Sequence, residues 1–156
     1  QLNVRAVETN RQPLRVVVDS KLETPLSARI LQGGPVLVAA AVDDKKRANL
    51  LRAAGAEVVV LPNAAGKVEL KDLLEELGRR GINEVHAEAG FKLNGSLLRE
   101  GLVDELLLYL APCLIGHDAS GLFNLPELTT LGDKPLLQIR DLRQVGEDIR
   151  LIARLR

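Results

Sequence analysis

Three short stretches of this chain carry residue types that can hold an anionic ligand: Asp19-Ser20, Ala41-Val42-Asp43 and Glu88-Ala89-Gly90. Each falls where an expected strand ends, and in an open parallel sheet ligands bind beyond the carboxyl ends of the strands, where the following helices offer free N–H groups. The third stretch says most. A carboxylate closes a strand there, and a glycine then opens a helix whose amino end can face a phosphate. A diphosphate can rest on the amides of Gly90, Phe91, Lys92, Leu93, Asn94, Gly95 and Ser96, with Gly90 allowing close backbone approach and Lys92, Asn94 and Ser96 adding donors. An ordinary strand-to-helix turn, its glycine selected for backbone geometry, accounts for the same residues.

Other candidates carry less. Neither G-x-G-x-x-G nor G-x-x-x-x-G-K-[ST] occurs, which disfavours a standard dinucleotide fold or a P-loop. His86 and His117 are far apart and belong to no metal-ligand cluster, so no metal site is expected. Cys113 follows a strand and Pro112 with no base nearby and reads as a small packed residue. Lys45-Lys46-Arg47 reads as a solvated helix face, or as a group that reaches the 2′-phosphate of NADP from beyond a strand end.

The elements that must position these residues are legible as a pattern. Residues 14–19, 36–42, 57–61, 82–88 and 103–111 read as strands, most of them buried. Asp43-Asp44 precedes a helix over 45–54 that Gly55 stops, and Leu70, Leu73, Leu74 and Leu77 form the stripe of a second helix ended by Gly81. A third helix covers 91–100. The alternation predicts an α/β fold with a mostly parallel sheet flanked by helices. Residues 116–135 are loop-rich, and 136–145 with 149–155 alternate around Gly146-Glu147-Asp148 as a C-terminal antiparallel hairpin. No interdomain linker is apparent.

Composition bounds the partners. With 156 residues the chain is one domain with a real core, and its 46% apolar content includes only two Phe and one Tyr, so that core is aliphatic. The 21 basic and 21 acidic residues cancel, which removes the electrostatic case for nucleic acid or an anionic membrane surface. No apolar run approaches the ~20 residues needed to span a bilayer. One cysteine excludes an intrachain disulfide, and a cytoplasmic location fits. With no methionine in the sequence, Gln1 is not expected to be a translation start, and the chain is expected to be a piece of something longer.

The run His86-Ala87-Glu88-Ala89-Gly90-Phe91-Lys92-Leu93-Asn94-Gly95-Ser96-Leu97-Leu98 continues through Gly101-Leu102-Val103-Asp104-Glu105 to Ala111-Pro112-Cys113-Leu114-Ile115-Gly116. Together with Leu2-Asn3-Val4-Arg5 and residues 13–20, it resembles the carboxy-terminal reductase domain of the bifunctional deaminase/reductase family of bacterial riboflavin biosynthesis. The resemblance implies a dihydrofolate-reductase-like fold and hydride transfer from NADPH to the ribosyl C1′ of 5-amino-6-(5-phosphoribosylamino)uracil. It further implies that Leu2 touches the pyrimidine, that Arg5 binds the substrate through its phosphate, and that Glu88 hydrogen-bonds the substrate's polar groups. Ser20 and the turn from Gly90 to Ser96 match cofactor-contacting positions.

The family's first strand and helix, with a lysine and an aspartate of the site, are expected before Gln1, as is a zinc deaminase domain. The chain alone is therefore expected to be inactive. No residue is assigned as proton donor, and a homodimer is left open. Two alternatives stand beside this reading: a related NADPH reductase acting on another pterin- or pyrimidine-like substrate, and a non-catalytic nucleotide-binding module.

Overall fold

The β-branched run after Pro13 forms β1 (Arg15–Val18), which pairs in parallel with β2 (Val36–Ala40), and β2 pairs in parallel with β3 (Ala56–Val60). All five residues of β2 are buried, as the unbroken sequence Val-Leu-Val-Ala-Ala requires of a central strand covered on both faces. The computed structural model describes every residue except Gln1, Asn3, Arg5, Asp118, Leu128, Leu131, Asp133 and Arg156. The chain divides into two compact units, Gln1–Glu84 and Val85–Arg156.

In the first unit, α1 (Lys45–Ala53) leads from β2 to β3. The Asp44 carboxylate caps it by accepting the Arg47 N–H at 2.9 Å, and Gly55, at φ 94, lets the chain leave it in the left-handed region. After β3, α2 (Leu70–Arg79) buries Leu70, Leu73 and Leu77 of its predicted stripe. The core of this unit gathers Leu22, Leu31, Val36, Val38, Ala40, Ala48, Leu51 and Ala56. Each buried leucine contributes about 1.5–3 kcal/mol. A charged residue is buried too: Arg15, only 8% exposed, donates to the carbonyls of Gln32 at 2.5 Å and Gly34 at 2.6 Å. Those two bonds tie β1 to the turn that opens β2 and give the buried guanidinium its acceptors.

In the second unit, α3 (Phe91–Arg99) precedes β4 (Glu105–Leu110), β5 (Leu137–Val145) and β6 (Asp148–Leu155). The sheet is antiparallel with order β4-β6-β5. Val145 pairs with Asp148 across a two-residue turn, Gly146-Glu147, and Gly146 at φ 63 supplies the positive dihedral that such a turn needs. The register of β5 shifts between Ile139 and Asp141, leaving Arg140 as the extra residue of a bulge.

Two expectations are corrected. Residues 82–88 form no strand: they pair with no described strand, and 83–88 are exposed. A strand exists only as part of a ladder, and apolar content in a short segment cannot reveal whether a partner is at hand. The expected buried strand over 103–111 becomes β4, an antiparallel edge strand with Tyr109 54% exposed. Its side chains alternate between the two faces of a three-stranded sheet, so it does not need burial on both.

Candidate functional site

The second unit presents the Glu88-Ala89-Gly90 turn at the amino end of α3. Gly90 is the N-cap, at φ −85 and ψ 173, a conformation open to any residue, and a Cβ added there would meet nothing within 4 Å. Neither backbone strain nor protein packing therefore accounts for the glycine. The open space above it is what close approach of a ligand needs. The first helical amides have no intrahelical acceptor by construction. No side chain caps them, since Gly90 has none and the first intrahelical bond runs from Asn94 N–H to the Gly90 carbonyl at 3.0 Å.

Around this turn the expected donors divide by role. The Asn94 amide donates to the carbonyls of Ala89 (3.0 Å) and Leu122 (3.4 Å), so it shapes the turn and is committed to the protein. Ser96 Oγ accepts from Arg99 Nη2 at 2.9 Å. Lys92 is exposed, Leu93 is half-buried, and the exposed Phe91 ring lies beside Gly121. Gly95 is buried against the backbone of Asn124, where no side chain fits. The Asn124 N–H donates to the Phe91 carbonyl at 3.0 Å, and Arg99 Nη1 donates to the Asn124 carbonyl. The 121–125 segment is thereby clamped along α3. Glu88 stands exposed before the helix with its carboxylate 3.7 Å from His86 Nε2. His86 is thus an exposed neighbour of Glu88 and lines no strand.

In the first unit, Ser20 follows β1 at the carboxyl end of the parallel sheet. Its carbonyl accepts the Ala41 N–H at 3.0 Å and its Oγ accepts the Val68 N–H at 3.2 Å, which leaves the hydroxyl proton free to be donated. Asp19 beside it accepts from the Thr24 hydroxyl (2.6 Å) and the N–H groups of Glu23 (2.9 Å) and Thr24 (2.6 Å). Burial pushes its carboxyl up, but the hydrogen bonds from Thr24, Glu23 and Lys21 outweigh that and hold it below the ordinary 3.8. Leu2 lies in the irregular segment ahead of β1, at 36% exposure. Arg5 lies outside the described residues; next to it, the Gln12 side chain clamps Val4 by accepting its N–H at 3.0 Å and donating to its carbonyl at 3.3 Å.

The basic cluster at the start of α1 is redistributed. Arg47 donates through Nε to the Leu22 carbonyl at 2.8 Å and through Nη2 to the Thr24 carbonyl at 2.6 Å, so the protein itself engages it, while Lys45 and Lys46 remain exposed. Sequence reasoning missed this because the contact spans more than twenty residues. Cys113 is exposed, not packed, because it leaves β4 in an irregular segment. No group of three His, Cys, Asp or Glu residues that can hold a metal occurs among the described residues. Among them, too, no helix is long and apolar enough to cross a membrane.

Residues 1–151 match the family described as the RibD C-terminal domain. The chain is 42% identical over 142 residues to the riboflavin biosynthesis protein RibD of Haemophilus influenzae, covering 90% of this chain and 37% of that protein. It is 32% identical over 143 residues to the 5-amino-6-(5-phosphoribosylamino)uracil reductase of Buchnera aphidicola subsp. Acyrthosiphon pisum, covering 91% of this chain and 67% of that protein. The structure of Acinetobacter baumannii RibD in its form 2 is similar with a TM-score of 0.83 at 30% identity, over 100% of this chain and 43% of that one. This chain thus spans well under half the length of the RibD proteins that it matches. Its fold is that of their reductase domains, which is dihydrofolate-reductase-like. On a match running from residue 1 to 151, the chain belongs to the RibD C-terminal domain family.

Proposed function

We propose that this chain is the reductase domain that transfers a hydride from NADPH to the ribosyl C1′ of 5-amino-6-(5-phosphoribosylamino)uracil, so that the C1′–O4′ bond breaks, O4′ takes a proton from solvent, and the sugar opens to a ribityl chain while NADPH becomes NADP⁺. The observation that carries the reading is the match along 67% of a Buchnera protein named for that reductase activity. A reductase of this family takes a nicotinamide cofactor, and the open turn at Gly90 with uncapped amides behind it fits its diphosphate. The choice of NADPH is supported by Lys45 and Lys46, exposed just past the end of β2, where a 2′-phosphate would find two cations.

When bound, the cofactor supplies the hydride, and the protein supplies position. Gly90, Phe91, Lys92, Leu93, Asn94, Gly95 and Ser96 form the turn that receives the diphosphate, with Asn94 and Gly95 shaping it from within. Ser20 offers its hydroxyl proton to the cofactor. Glu88 accepts from the substrate's polar groups, Leu2 packs on the pyrimidine, and Arg5 holds the substrate phosphate. Orientation of this kind is worth about 7–11 kcal/mol of barrier when the geometry is right. In the parent protein, a zinc deaminase domain would supply the preceding pyrimidine chemistry.

The test follows NADPH absorbance while the full-length protein that carries this chain is offered the aminouracil ribosyl phosphate. Stoichiometric oxidation with formation of the ribityl product is expected. Cofactor binding with no oxidation would replace this reading with a non-catalytic nucleotide module, and turnover only of a different pterin or pyrimidine would reassign the substrate.

A further inference from the structure

Leu22 is the one non-glycine with positive φ among the described residues, at φ 57, and it is also 1% exposed. A bulky side chain held in the left-handed region is a strained arrangement that persists only where its surroundings over-determine it. Three attachments do so here. The Leu22 side chain is sunk in the core, the Asp19 carboxylate gathers the N–H groups of Glu23 and Thr24 and the Thr24 hydroxyl, and the Arg47 guanidinium grips the carbonyls of Leu22 and Thr24. Arg47 is itself fixed, because its own N–H is the one that Asp44 caps at the start of α1. One side chain thus links the amino end of α1 to two successive points of the 19–24 loop. That loop leaves β1 at the carboxyl end of a parallel sheet and carries Ser20.

We infer that Arg47 is a positioning residue for the cofactor: its planar fork sets the 19–24 loop, and through it the Ser20 hydroxyl, without touching the cofactor. The inference rests on the reading above in which Ser20 contacts NADPH. A fork that spans two carbonyls cannot be replaced by a single ammonium. Because Arg47 acts on the loop and not on the 2′-phosphate, its loss weakens NADPH and NADH alike.

The test titrates both cofactors into the full-length protein and its Arg47→Ala, Arg47→Lys, Thr24→Val and Ser20→Ala variants, well below their melting temperatures. Arg47→Ala is expected to raise both dissociation constants by about tenfold, as the loss of charge-assisted bonds that shape a site should. Arg47→Lys recovers part of that loss. Thr24→Val, which keeps the packing and removes one bond to Asp19, gives a smaller rise in the same direction and serves if Arg47→Ala does not fold. In the Ser20→Ala background the added effect of Arg47→Ala shrinks well below tenfold, since the two act as one unit.

A rise for NADPH alone would make Arg47 a 2′-phosphate ligand and overturn the inference. A lowered melting temperature with both constants unchanged would reduce it to a structural brace and overturn it equally. If the parent binds neither cofactor, the reductase reading itself falls and takes the inference with it.

Discussion

Gly95 in α3 lies so close to Asn124 that a Cβ built on it would stand 2.6 Å from the Asn124 nitrogen and closer still to its carbonyl oxygen. Backbone atoms that are hydrogen-bonded to Phe91 and Arg99 cannot yield as a flexible side chain would. Gly95→Ala gains up to ~1 kcal/mol of helix propensity but forces α3 and the 121–125 segment apart, at ~1–3 kcal/mol. The expected outcome is a protein less stable by about 1–2 kcal/mol in denaturant titration. Unchanged stability would show that the segment is not held as described.

Gly90, five residues earlier, behaves in the opposite way. Its backbone suits any residue and an added Cβ meets open space, so Gly90→Val costs only the preference for glycine over valine at an N-cap, up to ~1 kcal/mol, and the fold is kept. The branched side chain fills the space that a diphosphate would need, and NADPH affinity falls while substrate affinity does not. Paired titrations with circular dichroism as the fold check decide it, and equal NADPH affinity in mutant and parent would remove the diphosphate from this turn.

Glu88 and Arg5 are tested on the substrate side. Glu88→Gln keeps the shape of an exposed side chain and removes its charge, and Arg5→Ala removes a phosphate partner. Each should lower kcat/KM by the equivalent of ~1.5–3 kcal/mol, chiefly through KM for the aminouracil substrate. Steady-state kinetics with NADPH held saturating would show it. Identical kcat/KM in both variants would mean that these residues only frame the site.

A pH dependence follows from Asp141. Its carboxyl is drawn down from 3.8 to about 2, first by the Arg143 guanidinium and then by Arg150, with bonds of 2.7–2.9 Å. Because the folded value lies below the unfolded one, the unfolded chain takes up the proton more readily. The contribution is therefore whole above about pH 3.8 and is lost as the pH falls toward 2. Urea titrations between pH 5 and 2 should show a shallower fall for Asp141→Asn than for the parent; equal slopes would contradict the assignment. Asp19, also held low, adds to the fall in the same direction.

Much of this arrangement was legible because local chemistry decides it. The Leu70, Leu73 and Leu77 stripe, the Asp44 cap ahead of α1 and the glycine of the Gly146-Glu147 turn each act within a few residues. What escaped depends on partners distant in the chain. Residues 82–88 look like a strand but find no ladder among the described residues. Arg47 looks like an anion ligand until the carbonyls of Leu22 and Thr24 are placed beside it. Gly95 left a signal that was readable in principle, since a glycine inside a helix usually has a packing reason. Its counterpart Asn124 left none.

The bulge in β5 bears on which changes of chain length the hairpin can absorb. Ile139 pairs with Ala153 and Leu142 with Leu151, so two residues three apart share one face, while Asp141 turns to the other with Arg143 and Arg150. Regular alternation from Ile139 would have carried Asp141 onto the apolar face. Losing Arg140 alone would leave Ile139, Asp141 and Leu142 in unbroken alternation with each side chain still on its present face. Insertions or deletions in the lineage of this strand can therefore pass through position 140 without inverting it, whereas a single-residue loss between Leu142 and Val145 would turn the remaining strand inside out against β6.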